Sequence, residues 1–182
     1  PLQLTRFDGR RFQTLLTREK ADAVTAISAL VAGRDGGLWF GLGSMSNVGP
    51  GEGFGRWHET EEVAYYTVDD GLENNRVTDL LEDPQGHLWI TTSGGISRFD
   101  GERFHNFTVA DGLPSDHVHC VCQDQQGHLW FGTDNGVVHY DGQTFQTIRS
   151  PQITSINDLL QDRQGRFWFA TLNGLVRYLP GR

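Results

Sequence analysis

Four tryptophans recur in one frame along the chain: Gly37-Leu38-Trp39-Phe40, His87-Leu88-Trp89-Ile90, His128-Leu129-Trp130-Phe131 and Arg166-Phe167-Trp168-Phe169. They stand 50, 41 and 38 residues apart. A period of about 40 residues built from short apolar stretches predicts an all-β propeller, each repeat a blade of four antiparallel strands. The period also divides scaffold from site. What recurs in every blade serves the blade, and what breaks the repeat marks where a site can lie.

Other residues keep the same frame. Asp70-Gly71-Leu72 and Asp111-Gly112-Leu113 each begin 19 residues before a tryptophan. Twelve before each tryptophan stands a β-branched residue: Ile27, Val77, Val118 or Ile156. Six before, Asp83, Asp124 and Asp162 recur, with Gly33 in the first repeat. Alternation and turn residues place an inner strand A at Val77–Glu82, Val118–Gln123 and Ile156–Gln161, with strand B carrying the tryptophan. Strand C carries the Arg/His-aromatic pair, and strand D is an aromatic run such as 103–108 or 144–148. Blades are expected at about 26–67, 76–108, 117–148 and 155–182, with residues 11–16 available to complete the fourth. The alanine-rich stretch 21–31 suits a helix by propensity, but its register matches strand A, so 26–31 is expected as a strand.

The combination of Asp-Gly-Leu, a β-branched strand, Asp-x-x-Gly-x-Leu-Trp-x-Gly-Thr and Gly-Leu-x-Arg-Tyr-Asp-Gly resembles the two-component regulator propeller repeat. Asp124 to Gly142 carries it most fully. Gly33, Thr91, Ala170 and Tyr178-Leu179-Pro180 depart from it. The resemblance implies a periplasmic or otherwise extracytoplasmic sensor of a bacterial two-component signalling protein. It implies a non-catalytic region that captures a small-molecule, glycan or peptide ligand. A propeller enzyme of lyase or glycosidase type and a pure protein-assembly module are the alternatives.

Composition narrows the classes further. A net charge of −8 disfavours nucleic acid, whose phosphates need clustered Lys and Arg. No stretch approaches the roughly 18 apolar residues of a membrane helix, so direct membrane insertion of this segment is not expected. The chain opens on a strand-C/strand-D piece at residues 4–16 and closes after strand C of the fourth repeat. It is therefore expected as a slice of a longer array, or as half of a ring joined by a second copy, with a closed four-blade ring as the third option. An open arc would expose sheet edges and apolar faces.

Among residues that could carry chemistry, the four tryptophans, His87 and His128, and the recurring aspartates all occupy repeated positions, so structural roles are expected. The Arg6, Arg98, His139 and Arg177 series is expected to pair with turn carboxylates. His117-Val118-His119-Cys120-Val121-Cys122 looks like a metal motif, but strand alternation puts the histidines on one side and the cysteines Cys120 and Cys122 on the other. Neither a metal, a cofactor nor a catalytic set is expected. Nine extra residues within 43–62 break the repeat, bringing Met45, Asn47, Phe54, Arg56, Trp57, His58, Glu59, Glu61 and Glu62. Their expected place is the loop face beside 73–76 and 114–117. The candidate ligand-binding set is accordingly Trp57, His58, Asn75, Arg76, Asp116 and His117.

Overall fold

The computed structural model describes residues 2–18, 25–44, 51–60 and 62–180. Residues 21–24 of the alanine-rich stretch, together with Met45, Asn47 and Glu61, lie outside the described residues. Four sheets follow one another in chain order. Blade 1 is β3 (Thr25–Ala32), β4 (Leu38–Ser44), β5 (Gly53–Trp57) and β6 (Ala64–Tyr66). Blade 2 is β7 (Val77–Glu82), β8 (Leu88–Thr92), β9 (Gly95–Phe99) and β10 (Phe104–Phe107). Blade 3 is β11 (Val118–Gln123), β12 (Leu129–Thr133), β13 (Gly136–Tyr140) and β14 (Phe145–Ile148). Blade 4 has three strands, β15 (Ile156–Gln161), β16 (Phe167–Thr171) and β17 (Gly174–Tyr178). All pairings are antiparallel, and 26–31 is strand as its register predicts.

Before blade 1 stands a separate hairpin of β1 (Leu2–Phe7) and β2 (Phe12–Arg18). Residues 11–16 therefore pair within their own hairpin, and the fourth sheet is not completed by them. The reason is local. Asp8 Oδ1 accepts the Arg10 and Arg11 N–H groups at 2.8 and 2.9 Å, and Gly9 takes φ 93°. Closing that short turn costs far less chain entropy than pairing across the array.

One side-chain device sets the A–B turn of blades 2, 3 and 4. Asp83 Oδ1 accepts the N–H groups of Gln85 and His87, both at 2.9 Å, while Oδ2 accepts the Trp89 indole N–H at 2.9 Å. Asp124 repeats this with Gln126, His128 and Trp130, and Asp162 with Gln164, Arg166 and Trp168. The carboxylate thus fixes the turn and anchors the indole, which in blades 2 and 3 fills the gap to the next blade. In blade 1, where Gly33 replaces the aspartate, Asp35 moves into the turn. It accepts the Gly37 N–H at 2.9 Å and pairs with Arg56, whose guanidinium lies over the Trp39 ring at 5.2 Å.

Each apolar cluster is shared by two consecutive blades. Trp39 meets Phe99 at 6.3 Å, Trp89 meets Tyr140 at 5.3 Å, and Trp130 meets Phe167 at 4.0 Å between ring centres. Trp39, Trp89 and Trp130 are inter-blade packing, as their repetition implies. Close approach also explains the strand-B glycine. A Cβ on Gly132 would lie 2.5 Å from Cys120 Sγ and 2.7 Å from Ile156 Cγ2. Thr91 fills the same place in blade 2 because Thr78 Oγ1 and the Asp79 carbonyl both bond its hydroxyl. The inner edge is also tied between blades: Asp79 Oδ2 accepts the Val121 N–H at 3.0 Å, and Thr78 Oγ1 donates to the Val118 carbonyl at 2.6 Å.

Two outcomes follow from this packing. Trp130→Ala removes a side chain only 4% exposed together with its indole bond, so it should cost about 3–5 kcal/mol. Trp57→Ala, at a half-buried strand end, should cost about 1 kcal/mol or less. Thermal melts compare them, and equal losses would place Trp57 in the core. The second outcome concerns acid. The Trp168 indole and the Arg166 side chain hold the Asp162 carboxyl well below the ordinary range, and burial of Asp83 is outweighed by its Trp89 and His87 bonds. Their contribution is complete above the unfolded value near pH 4 and is lost as pH falls towards the lowered folded values. Asp79, pushed up by burial, acts with the opposite sign but is a single group. Melting temperature should hold between pH 7 and about 5 and fall below about 4, with a shallower fall in Asp162→Asn. A rise on acidification would contradict the turn assignment.

Candidate functional site

The strands run between two loop faces. The start of strand A, the end of B, the start of C and the end of D lie on one face, which carries the B–C and D–A loops. The A–B and C–D turns lie on the other. Most of the extra length of blade 1 is in its B–C connection: Trp39 and Arg56 pair across the strands 17 residues apart, whereas Trp89 and Arg98 are 9 apart. The end of that connection reaches the expected neighbour. Gly53 N–H donates to the Asn75 carbonyl at 2.8 Å, and a Cβ on Gly51 would come within 2.6 Å of Arg76 Cα.

The six candidate residues do not form one site. Trp57 pairs with Leu38 at the start of β4, and His58 follows it, bonding Thr60 Oγ1 at 3.0 Å. Both sit on the A–B/C–D face, across a strand of five residues, or about 16 Å, from the B–C/D–A loops. Being close in sequence to the insert did not keep them on its face, because β5 carries the chain across the blade. Asn75 and Asp116 are on the B–C/D–A face, but they are equivalent repeat positions with equal duties. Asn75 Oδ1 accepts the Val68 N–H at 2.8 Å, and Asp116 Oδ1 accepts the Val109 N–H at 2.7 Å. Each pins a one-turn 3-10 helix, Val68–Asp70 or Val109–Asp111, whose C-terminal glycine is left-handed. Arg76 and His117 are also equivalent, and their carbonyls accept the N–H groups of Ser93 and Asp134.

His117 is where the repeat changes chemistry. Its Nδ1 lies 3.1 Å from Asp134 Oδ2, and its Nε2 lies 2.9 Å from Ser93 Oγ in the neighbouring blade. His119 Nε2 lies 2.7 Å from the other oxygen, Asp134 Oδ1. Burial works to raise the Asp134 carboxyl, but the His119 and His117 bonds outweigh it and hold the group below the usual carboxylate range. The corresponding residues are Arg76, Thr78 and Ser93 in blade 2, and Ser155, Asn157 and Leu172 in blade 4. Asp134 escaped the sequence reading. Its signal was a carboxylate in a B–C turn where the preceding blade has Ser93.

Beside this cluster the D–A connection between β14 and β15 is three residues shorter than its counterpart between β10 and β11. It lacks the Asp-Gly-Leu turn. Ser155 takes φ 48° and donates its N–H to the Asp134 carbonyl at 2.8 Å. The shortening leaves a cleft of about 570 Å³ lined by Pro114, Asn135, Arg149, Ser150, Pro151, Ile153 and Thr154.

The cysteines lie apart from the histidines, as alternation predicts. Cys120 is buried and Cys122 half-buried, both free thiols, and burial pushes the Cys122 thiol up to about 12. On the opposite face His139 Nε2 lies 3.2 Å from His128 Nδ1 and its ring 4.6 Å from Trp130. Arg98 lies over Trp89 at 5.9 Å. These members of the strand-C series rest on aromatic rings, and Arg56, in the blade without the usual aspartate, pairs with the turn carboxylate of Asp35.

Comparison with known proteins agrees with this architecture. Among solved structures, the extracellular domain of a B. thetaiotaomicron protein described as a hybrid two component system superposes with a TM-score of 0.74 at 17% identity, over 99% of this chain. The chain spans 28% of the length of that domain. Catalytically inactive virginiamycin B lyase of Staphylococcus aureus, solved with quinupristin, gives 0.71 at 14% identity, covering 99% of this chain and 64% of the lyase. A gluconolactonase of Xanthomonas campestris gives 0.63 at 21% identity, covering 97% and 65%. At such identities these likenesses show the fold. No curated protein sequence matches the chain. The two component regulator propeller pattern matches residues 71–94, 112–135 and 150–173, each running from the Asp-Gly-Leu region or its replacement to the B–C turn. Through these three repeats the chain is similar to the two component regulator propeller family.

Proposed function

We propose that the chain is a non-catalytic, ligand-sensing part of an extracytoplasmic two-component signalling protein, and that it takes up its ligand on the B–C/D–A face at blades 3 and 4. The observation that carries this reading is the coincidence of two departures from the repeat in one place. The D–A connection shortens to open a cleft, and the adjoining positions turn to His117, His119 and Asp134. The cleft combines a guanidinium (Arg149), an amide (Asn135) and apolar walls (Pro114, Pro151 and Ile153), which suits a small glycan or peptide. Capture would signal by favouring one packing of neighbouring elements over another. The outer face of blade 4 supports the existence of such a neighbour. Leu175 is 68% exposed, whereas Ile96 and Val137, at the same repeat position, are fully buried against the next blade. A further blade or a second copy of the chain fits that face.

An enzymatic reading has one observation in its favour. Ser93, His117 and Asp134 are linked in the order hydroxyl, imidazole, carboxylate, as in hydrolytic triads. The surroundings weigh against it. Ser93 N–H already donates to the Arg76 carbonyl, and Gly94 N–H to Thr92 Oγ1, so neither adjoining amide is left to stabilise an oxyanion. His119 also shares the carboxylate.

The test is thermal-shift binding to a panel of oligosaccharides and short peptides, on the parent chain and on Asn135→Ala, Arg149→Ala and His58→Ala. A ligand should raise the melting temperature of the parent and of His58→Ala, with the shift largely lost in Asn135→Ala and Arg149→Ala. Binding lost in His58→Ala and kept in the other two would move the site to the opposite face. A panel in which nothing binds would favour the assembly module.

A further inference from the structure

We propose that His117, His119 and Asp134 bind one divalent transition-metal ion of the zinc type. This stands independently of the sensing role. Three donors from two elements converge here: two imidazoles from the start of strand A and one carboxylate from the B–C turn of the same blade. Candidate ligand atoms on the three residues lie within 4.8 Å of one another. In a tetrahedral zinc site, with bonds of about 2.0–2.2 Å, neighbouring donors stand roughly 3.4 Å apart. The present separations of 3.1 Å (His117 Nδ1 to Oδ2) and 2.7 Å (His119 Nε2 to Oδ1) need to open by less than about 1 Å. An ion would then take the place of the hydrogens that now join the carboxylate to the rings.

The outer contacts are those a metal-ligating histidine uses. The second nitrogen of His117, Nε2, lies 2.9 Å from Ser93 Oγ. Donation to that hydroxyl leaves Nδ1 unprotonated and aimed at the ion, which fixes tautomer and ring orientation together. The Asp134 backbone adds rigidity: its N–H donates to the His117 carbonyl at 3.2 Å, and its carbonyl accepts the Ser155 N–H. The side chains are 37%, 23% and 42% exposed for His117, His119 and Asp134, so an ion has access and keeps a fourth position for water or a ligand group. Two imidazoles with one carboxylate favour zinc and its transition-metal neighbours over calcium and magnesium, which prefer oxygen shells. The set does not recur in blades 2 or 4, so the blade architecture does not require it.

Calorimetry on the tag-free chain, stripped with EDTA and desalted, should show one Zn²⁺ per chain and no comparable uptake of Mg²⁺ or Ca²⁺. His119→Ala and Asp134→Asn should weaken zinc binding by roughly 100-fold, and Ser93→Ala by roughly 10-fold. His128→Ala, on the opposite face, should leave it unchanged. Melts of the metal-free variants within a few degrees of the parent show that the loss is not unfolding. His119→Gln replaces His119→Ala should the latter not fold. Absence of 1:1 zinc binding would overturn the assignment. So would equal binding in the His117→Ala/His119→Ala double variant, or a loss that follows His128→Ala. Fluorophosphonate labelling of Ser93 without zinc uptake would also overturn it, and would assign the cluster to a hydrolytic relay.

Discussion

The bond from the strand-B indole to the aspartate six residues earlier holds together two scales of this structure. Within a blade, the same carboxylate accepts the backbone N–H groups of the A–B turn, so turn geometry and tryptophan position are set at once. Between blades, the fixed indole presents its ring to the aromatic residues of the next sheet. Burying a tryptophan leaves its N–H needing an acceptor, and burying a carboxylate leaves it needing donors. Each group answers the other's need. Blade 1 confirms the logic by its exception: with Gly33 in place of the aspartate, Asp35 and Arg56 rebuild the link from different residues.

A scaffold so regular makes departures informative. Blade 3 places His117, His119 and Asp134 where blade 2 has Arg76, Thr78 and Ser93, and the connection that follows is shorter than its counterpart. Both changes fall on one loop face. The strands beneath them match the other blades in register and bulge, so the polar cluster rests on backbone that the repeat already determines. Rigid sheets positioning variable loops are a common arrangement for recognition. The proposed roles of this face depend on that separation.

Much of the fold was legible in the sequence. Strand A of blades 2, 3 and 4 falls where alternation puts it, because a half-buried strand shows its period directly. The structural duty of the tryptophans and turn aspartates was legible from repetition alone. The recurring six-residue spacing marked these aspartates as turn residues, but the bond to the indole was not legible, since spacing around a turn does not show which side chains meet. The site was only partly legible. His117 was found, and alternation correctly put His119 on its side. Asp134 was missed because its approach depends on strand B turning back beside strand A. Trp57 and His58 were grouped with the insert by sequence proximity, yet a single strand carries them to the far face. Asn75 and Asp116 look like binding residues in isolation, and only their shared contact with a 3-10 turn shows that they are scaffold.

The most direct measurement is hydrogen exchange of the five indole N–H groups, followed by nuclear magnetic resonance. Trp89, Trp130 and Trp168 should exchange slowly, because each donates to its turn aspartate at 2.8–2.9 Å. Trp57, at a strand end on the opposite face from the proposed site, should exchange fast. Equal and rapid exchange of all five would show that the indole–carboxylate bond does not hold the blades, and the separation of scaffold from site would lose its foundation.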